Sequence, residues 1–168
     1  MTLKEHFRTM TAVETFPIKM ADAPGAMLRQ RWISAFARCV ADRLPPLLDA
    51  HAGKGGDFAI LRAAEPGLVM IRARAGGSGT LFNAGEMTVT RCSVRAGDGT
   101  VGHGYVAGRD RARAEMAAKL DAIMQTLAPE TAAAIVDELE AEIACRAAAR
   151  QSRSAPTKVE FLTMVRGE

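Results

Sequence analysis

The apolar residues of this chain change period twice, and that change restricts the folds open to it. Between Asp57 and Gly108 the runs are strand-like, with a period of two, and are punctuated by glycines; on either side apolar residues recur at helical spacing. Consecutive strands with helices segregated to their flanks indicate an α+β class, not a doubly wound α/β fold. The segments FAILRAA and LVMIRARA, joined by Glu65-Pro66-Gly67, read as a first hairpin, because Pro66 suits the first central position of a turn and Gly67 the second. EMTVTRCSVR and TVGHGYVAG, joined by Gly97-Asp98-Gly99, read as a second. The expectation is a four-stranded antiparallel sheet made of two hairpins.

The flanks read as helices with recognisable ends. After Asp22 and Pro24, Leu28, Trp32, Phe36, Cys39 and Val40 mark an amphipathic helix expected to run to about Leu44. Pro45 and Pro46 then open a short helix that stops at Gly53, Gly55 and Gly56. Asp110 is placed as the cap of a helix with its stripe at Met116, Leu120, Ile123, Met124 and Leu127, and with Glu115, Lys119 and Asp121 beside or opposite that stripe. Pro129 opens a further helix, with Ala132, Ile135, Val136, Leu139 and Ile143 as its apolar face.

These elements divide the chain into an N-terminal arm (1–23), a single α+β domain (24–150), and a linker with a C-terminal strand-like tail (151–168). In the tail, burying Val159, Phe161, Leu162, Met164 and Val165 gains about 1.5–3 kcal/mol each. Ordering the backbone costs about 1–2 kcal/mol per residue. The two nearly cancel, so the tail needs a preformed surface, either its own sheet edge or another subunit, and a homodimer is a fair expectation for the isolated chain. No apolar run is long enough to cross a membrane and the N-terminus has no apolar signal core, so a cytoplasmic protein with no membrane partner is expected. A net charge of +3 with one Trp and one Tyr argues against nucleic-acid binding. Cys39, Cys92 and Cys145 lack the close spacing of a metal site and read as buried free thiols, with no metal expected.

Few residues carry chemistry. Gly97-Asp98-Gly99-Thr100-Val101-Gly102 matches G-x-G-x-x-G literally, but it lies between two strands and reads as a hairpin turn, not a dinucleotide loop. Gly76, Gly77 and Gly79 lack the lysine of a P-loop, although the backbone N–H groups of such loops can cradle an anion. Arg72 and Arg74 share one strand face, as do Arg91 and Arg95. Such a face can meet a triphosphate or an acidic partner, or be solvated and salt-bridged with Glu86 as the obvious counter-ion. His103, between Gly102 and Gly104, suits acid-base work or a partner contact, with no second catalytic residue at a telling spacing. Arg109 and Asp110 close a second candidate contact loop at the strand ends.

Several motifs in order carry a family resemblance: Arg62-Ala63-Ala64-Glu65, Gly76-Gly77-Ser78-Gly79, Phe82 to Arg91, Gly102-His103-Gly104 through Asp110, and Phe161 to Gly167. From about Arg29 to its end the chain resembles the PhnG family of the carbon-phosphorus lyase system. The resemblance implies a bacterial phosphonate-degrading assembly with PhnH, PhnI and PhnJ as partners, and with PhnL added for synthase activity. In that family the assembly uses MgATP, from which an alkylphosphonate displaces adenine at the ribose anomeric carbon. The catalytic centre is assigned to PhnI and the later radical cleavage to PhnJ. The resemblance therefore implies a non-catalytic assembly subunit that binds no cofactor alone. The alternative is an active-site contributor whose Arg74, Arg91 or Arg109 reaches an ATP phosphate. No catalytic residue is carried over.

Overall fold

The computed structural model describes residues 24–51, 53, 56–74 and 79–157. Two helices, α1 (Pro24–Arg38) and α2 (Leu44–His51), precede three strands, β1 (Phe58–Arg74), β2 (Leu81–Ala96) and β3 (Val101–Ala107). Two more helices come after them, α3 (Arg111–Met124) and α4 (Pro129–Ser154), and then a 3-10 turn at Ala155–Thr157. The class is α+β as expected, but the described sheet has three antiparallel strands in the order β1-β2-β3.

The expected first hairpin is replaced by one continuous strand of 17 residues. Glu65, Pro66 and Gly67 do not turn; they pair with Arg91, Thr90 and Val89 of β2. Two features absorb them. β1 is an edge strand, where a proline without an N–H is tolerated, and the register shifts between Arg62 and Glu65, which takes up an extra residue. Gly67 is not among the glycines with positive φ, so the conformation that a type II turn needs is not adopted. The second hairpin forms where expected. Ala96 N–H donates to Thr100 O at 2.8 Å, Asp98 Oδ1 accepts from Thr100 N, and Gly99 takes φ +90°. The literal G-x-G-x-x-G is therefore a strand reversal.

The helical boundaries follow local chemistry. α1 stops at Arg38, short of Leu44, and Ala41–Arg43 forms a separate 3-10 turn before the prolines open α2. The Arg113 guanidinium donates to the carbonyls of Phe36, Ala37 and Cys39, which α1 leaves unpaired at its end. Asp110 is the α3 cap, its carboxylate accepting from Arg113 N at 2.9 Å, and Pro129 sits in the first turn of α4. α4 continues through Gln151–Ser154, so the polar run read as a linker is helical as far as the described residues extend. Val159, Phe161, Leu162, Met164 and Val165 lie outside the described residues.

One face of the sheet packs on α3, and two glycines set how closely. A Cβ at Gly102 would stand 2.0 Å from Ala118 O, and one at Gly104 would stand 2.0 Å from Ala114 O. The buried face of α3 is correspondingly small, with Ala114, Ala117 and Ala118 against the strand. Leu120, Ile123 and Met124 complete it and meet Trp32 and Phe36 of α1 and Val136 and Leu139 of α4. Within the motif Gly102-His103-Gly104, alternation thus sends the glycines to the helix and His103 to the opposite, open face.

Candidate functional site

Beneath β3, Asp121 joins three elements. Its fully buried carboxylate accepts from Arg29 Nε and Nη2 (3.1 and 2.8 Å), from Trp32 Nε1 (2.8 Å) and from the His103 backbone N–H (2.8 Å). This corrects the placement of Asp121 beside or opposite the α3 stripe. It lies on the buried face because a carboxylate with several charge-assisted donors is satisfied there. Through that bond it fixes the backbone that presents His103.

On the open face, the register sets side chains in three rows across the strands. Glu65, Arg91 and Tyr105 form the first, Arg62, Ser93 and His103 the second, and Ala59, Arg95 and Val101 the third. Glu65 Oε1 accepts from Arg62 Nε at 2.9 Å and from Arg91 Nη2 at 3.2 Å. These bonds, Arg62's foremost, hold the Glu65 carboxyl below its ordinary value. Ser93 Oγ and His103 Nδ1 share a hydrogen bond of 2.9 Å. The counter-ion of Arg91 is therefore Glu65, not Glu86. Glu86 pairs with Met70, about 17 Å along β2 from Arg91 at strand spacing.

The second surface is the outer half of the β1-β2 pair. Among the described residues β3 pairs only with Val89 to Arg95, so residues 81–88 and their β1 partners run on as a two-stranded ribbon, about 27 Å long at strand spacing. Leu68, Met70, Ile71, Leu81, Phe82 and Met87 along it are all exposed, Leu68 to 65%. An isolated two-stranded ribbon is marginal in water, and a long exposed apolar edge invites pairing.

Most of the other expected site residues fall at the ends of these two surfaces. Arg74 ends β1, and its Nη1 donates to Gly79 O at 2.9 Å. Gly76 and Gly77 lie outside the described residues. Arg109 is exposed in the turn after β3, while Asp110 is committed to the helix cap. The structure brings Arg91 and His103 onto one face and separates them from Arg74 and Glu86. Sequence reasoning missed Glu65, hidden by its place in an apparent turn, and Asp121, although its spacing from Ala117 and Met124 is that of a buried helical face.

Away from the sheet, a groove of about 840 Å³ lies between the start of α1 and the junction of α3 with α4, lined by Leu28, Trp32, Met124, Leu127 and Ala132. Two of its polar neighbours are occupied, Arg29 by Asp121 and the Gln125 amide by the carbonyls of Val101 and Asp121, while Glu130 also lines it. Cys39 and Cys92 are buried, and burial pushes both thiols up, whereas Cys145 is exposed, contrary to expectation. Among the described residues no group of three His, Cys, Asp or Glu converges on a metal-sized site, and no helix is long and apolar enough to cross a membrane.

Comparison with known proteins places this geometry in a family. Residues 27–167 match the model for phosphonate metabolism protein PhnG. Over 154 residues, 89% of this chain and 96% of the relative, the chain is 41% identical to the alpha-D-ribose 1-methylphosphonate 5-triphosphate synthase subunit PhnG of Rhizobium meliloti (strain 1021). The chain belongs to the PhnG family of phosphonate metabolism proteins.

Proposed function

We propose that this chain is a subunit of an alpha-D-ribose 1-methylphosphonate 5-triphosphate synthase, and that it serves the assembly as a docking subunit rather than as the catalytic one. The family and the named role of the relative support the synthase. The exposed apolar ribbon supports the role. Leu68, Met70, Ile71, Phe82 and Met87 stand in water on a two-stranded extension that no described helix covers, and each gains about 1.5–3 kcal/mol if fully buried. Ordering and docking costs offset part of that gain. The occupant is another subunit of the synthase, of the PhnH, PhnI or PhnJ type, adding a strand to the β1 edge, which no described strand pairs, or laying an apolar face on the ribbon. In this reading MgATP is bound and turned over by the assembly, with PhnL added, and adenine leaves the ribose in a partner's active site.

The test is co-expression with those subunits. Leu68→Ser with Met70→Ser, and separately Phe82→Ser, leave the isolated chain folded, because they remove exposed side chains, and lower its recovery with the partners at least tenfold. Unchanged recovery would remove the ribbon from the interface. Release of adenine from MgATP and methylphosphonate by the purified chain alone would overturn the docking role.

A further inference from the structure

We propose that the open face at the root of the sheet, around Arg62, Arg91, Arg95, Ser93, His103 and Tyr105, is a binding site for a chain of linked phosphoryl groups. The site is distinct from the apolar ribbon. It rests on the synthase reading only for which phosphate compound reaches it.

The face carries an excess of positive charge. Three guanidinium groups share it with one carboxylate, Glu65, a single oxygen of which accepts from both Arg62 and Arg91. Each guanidinium has five N–H donors in a planar fork, so Arg62 and Arg91 keep most of theirs. Arg91 Nε–H has no acceptor. Arg95 is exposed, with no hydrogen-bond or ion-pair partner among the described residues. Glu65 therefore aligns two cations without neutralising the face.

The cations are also spread along a line. Arg91 and Arg95 lie about 13 Å apart along β2 at strand spacing, with the Ser93-His103 pair between them and Tyr105 beside Arg91. Cations at both ends with hydroxyl and imidazole groups in the middle match an extended anion with oxygens along its length better than one isolated phosphate. Large apolar anchors are fewer in the same place. The three rows hold only Ala59 and Val101 as aliphatic side chains, both in the last row, with the exposed Tyr105 in the first row and the exposed Leu61 in the β1 register shift beside them, whereas protein interfaces depend on clusters of large apolar or aromatic anchors at their centres. Such a cluster is on the ribbon. The ribbon thus fits a protein, and the root fits an extended polyanion.

Calorimetric titration of the full chain with tripolyphosphate at low salt tests this. Saturable binding is expected, weakened at least tenfold by Arg91→Ala and by Arg95→Ala. Arg146→Ala and Arg150→Ala, on the exposed end of α4, should bind as the parent does. Circular dichroism confirms that the variants are folded. A parallel titration with ATP separates the sources: tighter binding of ATP marks a nucleotide, and equal binding marks the phosphate chain itself. No saturable binding at millimolar tripolyphosphate overturns the proposal, as does equal loss in the α4 variants. Loss of partner recovery in Arg91→Ala without any tripolyphosphate binding overturns it in favour of an acidic protein surface. Leu68→Ser with Met70→Ser should keep tripolyphosphate binding, so failure of the phosphate site leaves the docking reading intact.

Discussion

Replacing Asp121 by Ala removes one acceptor group from four donor contacts, and the cost can be built from what remains. Trp32 Nε1–H and the His103 N–H stay inside the protein without partners, at about 1–3 kcal/mol each. Arg29, whose side chain is 34% exposed, recovers part of its hydration and adds less. The two N–H groups together come to about 2–6 kcal/mol, which brackets the roughly 3–5 kcal/mol that breaking a buried pair generally costs. That cost is a large part of the roughly 5–15 kcal/mol that holds such a domain folded. In thermal unfolding the loss should appear as a fall of roughly 6–20 °C, at about 2–4 °C per kcal/mol for a chain of this size. Asp121→Asn should be nearly as damaging, because its amide nitrogen is a donor in a site that supplies only donors. Arg29→Ala alone should cost less than Asp121→Ala, and the double variant should cost less than the sum. A loss below about 1 kcal/mol for Asp121→Ala would refute the claim that this carboxylate ties α1, α3 and β3 together.

The packing and the charges set three further outcomes. Gly104→Ala, with its new methyl 2.0 Å from Ala114 O, must push α3 off the sheet and should cost at least the roughly 1–3 kcal/mol typical of overpacking, whereas Gly85→Ala, with open space around it, should cost under about 1 kcal/mol in chemical denaturation. The Glu65 carboxyl should titrate below an ordinary glutamate by NMR, and Arg62→Ala should restore it more than Arg91→Ala does. Because its folded value is depressed, the tie to Arg62 and Arg91 is fully present above the ordinary glutamate range and is lost as pH falls through the folded value. A thiol reagent at neutral pH should label Cys145 quickly and Cys39 and Cys92 only on unfolding; fast labelling of all three would contradict the packing.

The parts of this fold legible in the sequence are those set by local chemistry. Asp110 before a helical period, Pro129 in a first turn and Gly97-Asp98-Gly99 between strands each act within a few residues, and each is found where the pattern puts it. Glu65-Pro66-Gly67 carries an equally strong local signal and loses, because pairing along the whole of β2 outweighs a turn at an edge where proline is tolerated. The same extension creates the ribbon, so the principal exposed surface could not be read before the strand length was known. Arg91 and His103 were visible as side chains, but their common face comes from the β2-β3 register, and the counter-ion Glu65 from the β1-β2 register. Asp121 was misplaced for a different reason. A charged residue is read as solvent-facing until its partners are known, and here those are Arg29 and Trp32, about ninety residues away.

The docking role is tested most directly by amide hydrogen exchange, read peptide by peptide in the free chain and in the assembled synthase. In the free chain, amides of residues 68–74 and 81–87 should exchange quickly and those of residues 89–95 slowly, since only the latter lie between two strands. On assembly, exchange across the ribbon should slow at least tenfold. Ribbon exchange that is unchanged in an intact, active synthase would contradict the docking role.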